Sequence, residues 1–385
     1  MKKEHFLQSE GFKTVAASVL SILIGLAVGS IVILIVGLTS PNLSLSSAWD
    51  GIRIVFGGLF STGRDASGTL TWGFNPTNIG NMLFRAAPLI MTGLSVGMAY
   101  KTGLFNIGAT GQMVAAGLLS VITALTVDLP RPLLLPLVVL VGFLGGAVYG
   151  GIQGYLKSRF NVNEVVSGIM MNWIAHWAVY YVISDYFKSS SMATESQSVP
   201  AAASLRSDLL LSFTGSSSFN WGFILAIACV VIVQYILRRT VIGYEMRAVG
   251  FNAEAAEYGG INVKKNAVLS MAIAGALAGL AGVSYYCGYC TAIRIGVQPS
   301  HGFDGVAVAL LGGISPVGVV FASIFFAILQ TGKGFMSVMT KIAPEIADTI
   351  IAIIIYFAAI SKFVDRYFDR FLAWYRKKHT GGGKK

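Results

Sequence analysis

VAASVLSILIGLAVGSIVILIVGL, Val15 to Leu38, runs for 24 residues without a charge and follows Lys2, Lys3 and Lys13. A helix of about 20 apolar residues crosses the roughly 30 Å hydrocarbon core of a bilayer. A secretory leader would carry an apolar core of about 7–15 residues and then a small-residue cleavage site, so this longer run reads as a retained first membrane helix. The rest of the chain agrees. Of its 385 residues, 55% are hydrophobic and 12% charged, and the mean hydropathy is +0.70. No sizeable soluble domain fits between the apolar runs.

Further spans read near Met82–Ala99, Phe105–Val127, Leu133–Leu156, Val165–Tyr186, Trp221–Leu237, Ala267–Tyr286, Val317–Gln330 and Ile346–Ile360. Phe303–Ile314 is apolar but short, either a tenth span or a re-entrant piece. Both ends are basic, and Lys and Arg gather on cytoplasmic loops, so both termini are expected inside and the number of spans even. With about ten spans, 19 of the 28 basic residues fall inside, and Arg85 is left within a helix. The expected fold is therefore all-α and polytopic, with discontinuous helices. It comprises a cytoplasmic segment at 1–14, a membrane domain at 15–361 and a basic cytoplasmic tail at 362–385. Two long outer loops, 39–81 and 187–220, are rich in small polar residues and read as irregular.

Several chemistries are poorly supported. The net charge of +11 comes from residues flanking spans, which argues against nucleic acid as a partner. Thr331-Gly-Lys-Gly-Phe lacks the first glycine of a phosphate-cradling loop, since position 327 is Ala, and lacks Ser or Thr after Lys333. Cys287 and Cys290 form a lone CxxC with no second pair or nearby His pair, so they read as packing residues rather than a metal or redox site. His5, His176, His301 and His379 do not cluster at ligand or catalytic spacing, and His176, between two Trp, reads as a packed or interfacial residue.

TGLFNIGATGQM, Thr102 to Met113, sets three glycines and several polar side chains between apolar stretches. Irregular backbone at membrane depth survives only where protein or a water-filled cavity surrounds it. On that reading Asn106 and Gln112 offer amides to an uncharged polar solute and Phe105 offers a flat face. The alternative is a cytoplasmic turn after Lys101, followed by a helix packed through small residues. At His301 to Gly318, Asp304 precedes a short apolar stretch that ends in Gly312-Gly313 and Pro316. This is either a half-helix lining a cavity or a helix capped by Asp304 at the surface.

The one sizeable inner loop, 238–265, contains Met246–Tyr258, with good helix formers and a cap-like Asn252; a short helix along the membrane surface is expected there. Its Glu245, Arg247, Glu254 and Glu257 suit a groove on a partner.

Four stretches, PLIMTGLSVGMAYKTGLFNIGATGQ, NVNEVVSGIMMNW, IGYEMRAVGFNAEAAEYGGINV and GFDGVAVALLGG, resemble the permease subunits of bacterial ATP-binding cassette importers. The group is that of simple-sugar, branched-chain amino acid and nucleoside permeases. The likeness is greatest to nucleoside permeases paired with a lipoprotein receptor, and runs from about Asn78 to Ile360. It implies a second permease chain, identical or not, and separate ATPase subunits carrying ATP and Mg, with no cofactor on this chain. It also implies an extracytoplasmic substrate-binding lipoprotein and a place in the bacterial cytoplasmic membrane among its lipids. Glu254-Ala255-Ala256, then three residues and Gly260-Ile261, is similar to the family's ATPase-docking loop. That assigns coupling to Tyr244, Glu245, Arg247, Asn252, Glu254, Ala255, Ala256 and Gly260. Phe105, Asn106 and Gln112, with Asn172, Phe303 and Asp304, are the expected substrate lining, and alternating access is the implied mechanism. Ala109-Thr110 departs from the family, which usually has an acidic residue before Gly-Gln. A simple-sugar permease and an ion-driven secondary transporter are the competing readings.

Overall fold

The computed structural model of the chain describes residues 10–39, 44–65, 67–215, 217–340 and 342–359. Lys2, Lys3 and the basic tail from Lys362, on which the expected orientation rests, lie outside the described residues. In chain order the helices are α1 (Glu10–Thr39), α2 (Leu45–Gly57), α3 (Pro76–Tyr100), α4 (Ala109–Thr126), α5 (Arg131–Phe160), α6 (Glu164–Tyr186), α7 (Asp208–Phe213), α8 (Gly222–Arg239), α9 (Val241–Phe251), α10 (Ala253–Tyr258), α11 (Val263–Val283), α12 (His301–Leu311), α13 (Pro316–Thr340) and α14 (Pro344–Ala359). A small hairpin of β1 (Ser61–Arg64) and β2 (Leu70–Trp72) lies between α2 and α3.

Each of the nine long stretches expected to cross holds a helix among the described residues, and α12 is the short apolar piece. Among the described residues, α3, α4, α5, α8, α11 with its extension, and α13 are long and apolar enough to span a bilayer by length and composition. Three expectations need correction. The span placed from Phe105 begins only at Ala109, because residues 101–108 are turn. The single surface helix expected at 246–258 is two helices, divided at Asn252. The first long loop holds α2 and the hairpin, and the second holds α7, so neither is wholly irregular.

The described residues form two compact units. In the first, built from the chain up to Thr71 and from Leu329, α1 packs on α14 and α2. Arg64 pairs with Asp50 at 2.9 Å, and Lys333 with Asp348 at 2.6 Å. Asp348 is thus held in an ion pair.

The second unit, Trp72 to Ile328, centres on α11, which packs along α5 and against α3 and α4. Between helices in lipid there is no hydrophobic drive, so close backbone approach has to supply the attraction, and small residues at spacings of four permit it. Gly142, Gly146 and Gly150 on α5 face Gly275 and Gly279 on α11. A Cβ on Gly146 would fall on the carbonyl oxygen of Gly275, and one on Gly279 would fall on that of Gly142. Helix starts follow the sequence closely: Asn75, Asn163 and Asn262 cap α3, α6 and α11 through their side-chain oxygens. Beyond Val283, α11 continues in wider turns from Ser284 to Cys290, with Cys287 and Cys290 as free thiols. On α6, the His176 ring meets Trp173 and Trp177 edge-on at 5.6 and 5.4 Å.

Candidate functional site

The break between α3 and α4 begins where the amides of Thr102 and Leu104 both donate to the carbonyl of Ala99 and Gly103 takes φ +77°, a left-handed conformation suited to glycine. Four buried polar side chains, Ser95, Asn106, Gln112 and Gln153, then form one chain of hydrogen bonds. Asn106 Nδ2 donates to Ser95 Oγ at 3.0 Å and to Gln112 Oε1 at 2.8 Å; Gln112 Nε2 donates to Asn106 Oδ1 at 3.1 Å and to Gln153 Oε1 at 3.0 Å. Gln153 Nε2 continues to the carbonyl of Glu164 at 2.9 Å. From α6, Asn172 Oδ1 accepts from the amide of Gly111 at 2.7 Å, and its Nδ2 donates to the carbonyl of Ile107 at 3.1 Å.

A turn closes α3, and the irregular backbone after it is enclosed by protein, its polar groups matched by side chains from α3, α4, α5 and α6. Asn106, Gln112 and Asn172 come together here, with their amides bonded to protein. Phe105 is half-buried. Phe303 and Asp304 stand on α12, which packs on α3 and α4; Phe303 is 50% exposed, and Asp304 accepts a hydrogen bond from Ser300 Oγ at 2.8 Å. Sequence reasoning missed Gln153 and Ser95, whose one signal was a polar side chain inside an apolar run.

A second cluster was not foreseen. Arg85, on α3, lies over the Phe84 ring at 5.1 Å, and Phe84 stacks on Tyr289 at 4.3 Å. Tyr285 meets Tyr289 at 6.1 Å and His301 at 4.9 Å. Through these rings Arg85 and His301 belong to one cluster. Gly302, next to His301, leaves room for Thr110: a Cβ there would collide with the Thr110 side chain. Arg85 Nε, Thr110 Oγ1 and His301 Nδ1 are buried atoms with no hydrogen-bond partner.

The connector after α8 is built from caps. Thr240 Oγ1 accepts from the amide of Gly243 at 3.1 Å to start α9, and Asn252 Oδ1 accepts from that of Ala255 at 3.0 Å to start α10. Ile261 N returns to the carbonyl of Ala256 at 3.0 Å, beside Gly260 at φ +82°. Glu245 Oε2 accepts from Asn266 Nδ2 at 2.9 Å, tying α9 to α11, while Arg247 Nε donates to the Gly243 carbonyl at 3.2 Å. Glu254 stands in the first turn of α10. Tyr244 is exposed, and Phe251 and Tyr258 are almost fully so, at 95% and 96%. The underside of α9 rests on the turn after α3: a Cβ on Gly250 would land on the carbonyl oxygen of Lys101. Burial, and after it the Arg247 guanidinium, hold the Lys101 ammonium below its ordinary value.

Repeated apolar crossings, a polar node enclosed among them and a charged connector seated on that node's entrance define a multi-pass membrane permease. Residues 78–359 match the family described as branched-chain amino acid transport system / permease component, and the chain belongs to that family. It is 40% identical to the nucleoside ABC transporter permease protein NupB of Lactococcus lactis over 334 residues, 81% of this chain and 90% of the relative. It is 36% identical to the guanosine ABC transporter permease protein NupP of Bacillus subtilis over 343 residues, 89% and 92% of the two chains. The glucose ABC transporter permease protein TsgB13 of Haloferax volcanii is 32% identical over 320 residues, 78% of this chain and 82% of that one.

Proposed function

We propose that this chain is the permease subunit of an ATP-driven nucleoside importer of the bacterial cytoplasmic membrane, with both termini in the cytoplasm. Nucleosides arrive from an extracytoplasmic binding lipoprotein, pass between this chain and a second permease subunit, and leave inside. Separate ATPase subunits bind the α9–α10 connector and supply the energy. The observation that carries this reading is the backbone contact of α9 on the turn after α3, because it joins an exposed docking surface to the loop holding Asn106 and Gln112. A rigid-body push on α9 then reaches the substrate path through packed backbone rather than a flexible tether.

The names of the two nucleoside relatives favour nucleosides, and that of the glucose relative keeps a sugar in contention. The deciding experiment is uptake of labelled guanosine, uridine, ribose and glucose by cells with and without the intact gene, together with co-purification of an ATPase. Chain-dependent uptake of a nucleoside with a co-purifying ATPase is expected. Entry of ribose or glucose alone would overturn the substrate, and concentrative uptake by the purified chain without a partner would overturn the mechanism.

A further inference from the structure

Arg85 lies about 14 Å along an α3 of about 37 Å, at the helical rise of 1.5 Å per residue, so its guanidinium is carried deep into a membrane helix. Charges at that depth are costly and face the bundle interior or a water-filled path. Among the described residues, no carboxylate forms an ion pair with it. Its Nε has no acceptor, and neither Thr110 Oγ1 nor His301 Nδ1 has a partner. Buried polar atoms are nearly always bonded, so three unpaired ones beside a set of aromatic faces describe a place that a ligand completes. Phe84 and Thr110 are buried, whereas Arg85, Tyr285, Tyr289 and His301 are only half-buried, so the cluster keeps an open side.

We propose that Arg85, Thr110 and His301, walled by Phe84, Tyr285 and Tyr289, recognise a 6-oxopurine nucleoside in transit. This rests on the nucleoside reading above and narrows it. A guanidinium presents a rigid fork of donors and no acceptor, so it requires a ligand edge with two adjacent acceptors. In a 6-oxopurine, O6 and N7 provide them; in adenine, the exocyclic amino group puts a donor where the fork needs an acceptor. The aromatic rings bound a flat heterocycle. Thr110 and His301, which can each donate or accept, suit the sugar hydroxyls.

The test is initial uptake of labelled guanosine, inosine and adenosine at saturating concentration, so that receptor loading does not limit, by cells carrying the whole transporter. The wild type should favour guanosine and inosine over adenosine by about tenfold or more, the discrimination of one good bidentate pair. Arg85→Gln replaces the donor fork with one donor and one acceptor, the pattern that matches adenine, and should reverse the order in favour of adenosine. Arg85→Lys keeps the charge but not the fork, and should bring the ratio toward one. A fall of all three in parallel, or an unchanged ratio in both variants, overturns this site while leaving the nucleoside importer standing. No uptake of any of the three by the wild type overturns this site, and the uridine and sugar measurements of the proposed function then decide whether the importer falls with it.

Discussion

Thr110 Oγ1 is a hydroxyl buried with nothing to bond to. If it serves a solute rather than the fold, Thr110→Val should leave thermal stability within about 1 kcal/mol, since no hydrogen bond is lost, and still lower nucleoside uptake several-fold. Unfolding in detergent and initial uptake rates separate the two effects. Gln112 is the opposite case, because it bonds both Asn106 and Gln153. Gln112→Leu strands polar groups on two neighbours, and each orphan costs about 1–3 kcal/mol. A lowered unfolding temperature and reduced membrane abundance are expected, whatever the solute. The amides Asn106, Gln112 and Asn172 were legible as interior groups because polar residues in apolar runs need partners. Which partners they have was not legible, since Gln153 and Ser95 come from other helices. The cluster of Arg85 with His301 and Tyr285 was hidden for the same reason: its members come from three separate helices.

At the scale of elements, the apolar runs located every expected helix because a span must satisfy its own backbone within lipid. Their ends were less legible. The α3–α4 turn consumes residues that read as apolar, and Asn252, expected as a cap, caps the second of two helices rather than lying within one. The crossing of α5 on α11 is sensitive to side-chain size. Gly146→Leu drives a side chain into the Gly275 backbone and should cost about 1–3 kcal/mol or more as the helices part. Gly151→Ala is the control: its Cβ would sit 3.7 Å from that of Ala272, an ordinary contact, and no fall in unfolding temperature is expected. Equal behaviour of the two variants would show that the glycine crossing does not set the spacing.

Across the whole molecule, the motif order announced the family, while the route from connector to interior emerged only from tertiary packing. Gly250→Val should disturb that route without touching the exposed face that Tyr244, Phe251 and Tyr258 present to a partner. On the proposed function, a partner ATPase should still co-purify and hydrolyse ATP, but less nucleoside should enter per ATP. Loss of ATPase binding itself would place Gly250 in the docking face instead.

Where α9 meets the carbonyl of Lys101, main chain touches main chain with no side chain between. A joint of that kind works like a push-rod, conveying displacement by hard contact rather than by attraction across a gap. If an ATPase docks on the charged connector as proposed, ionic strength should change how tightly that motor grips it, yet leave the cargo moved per power stroke the same.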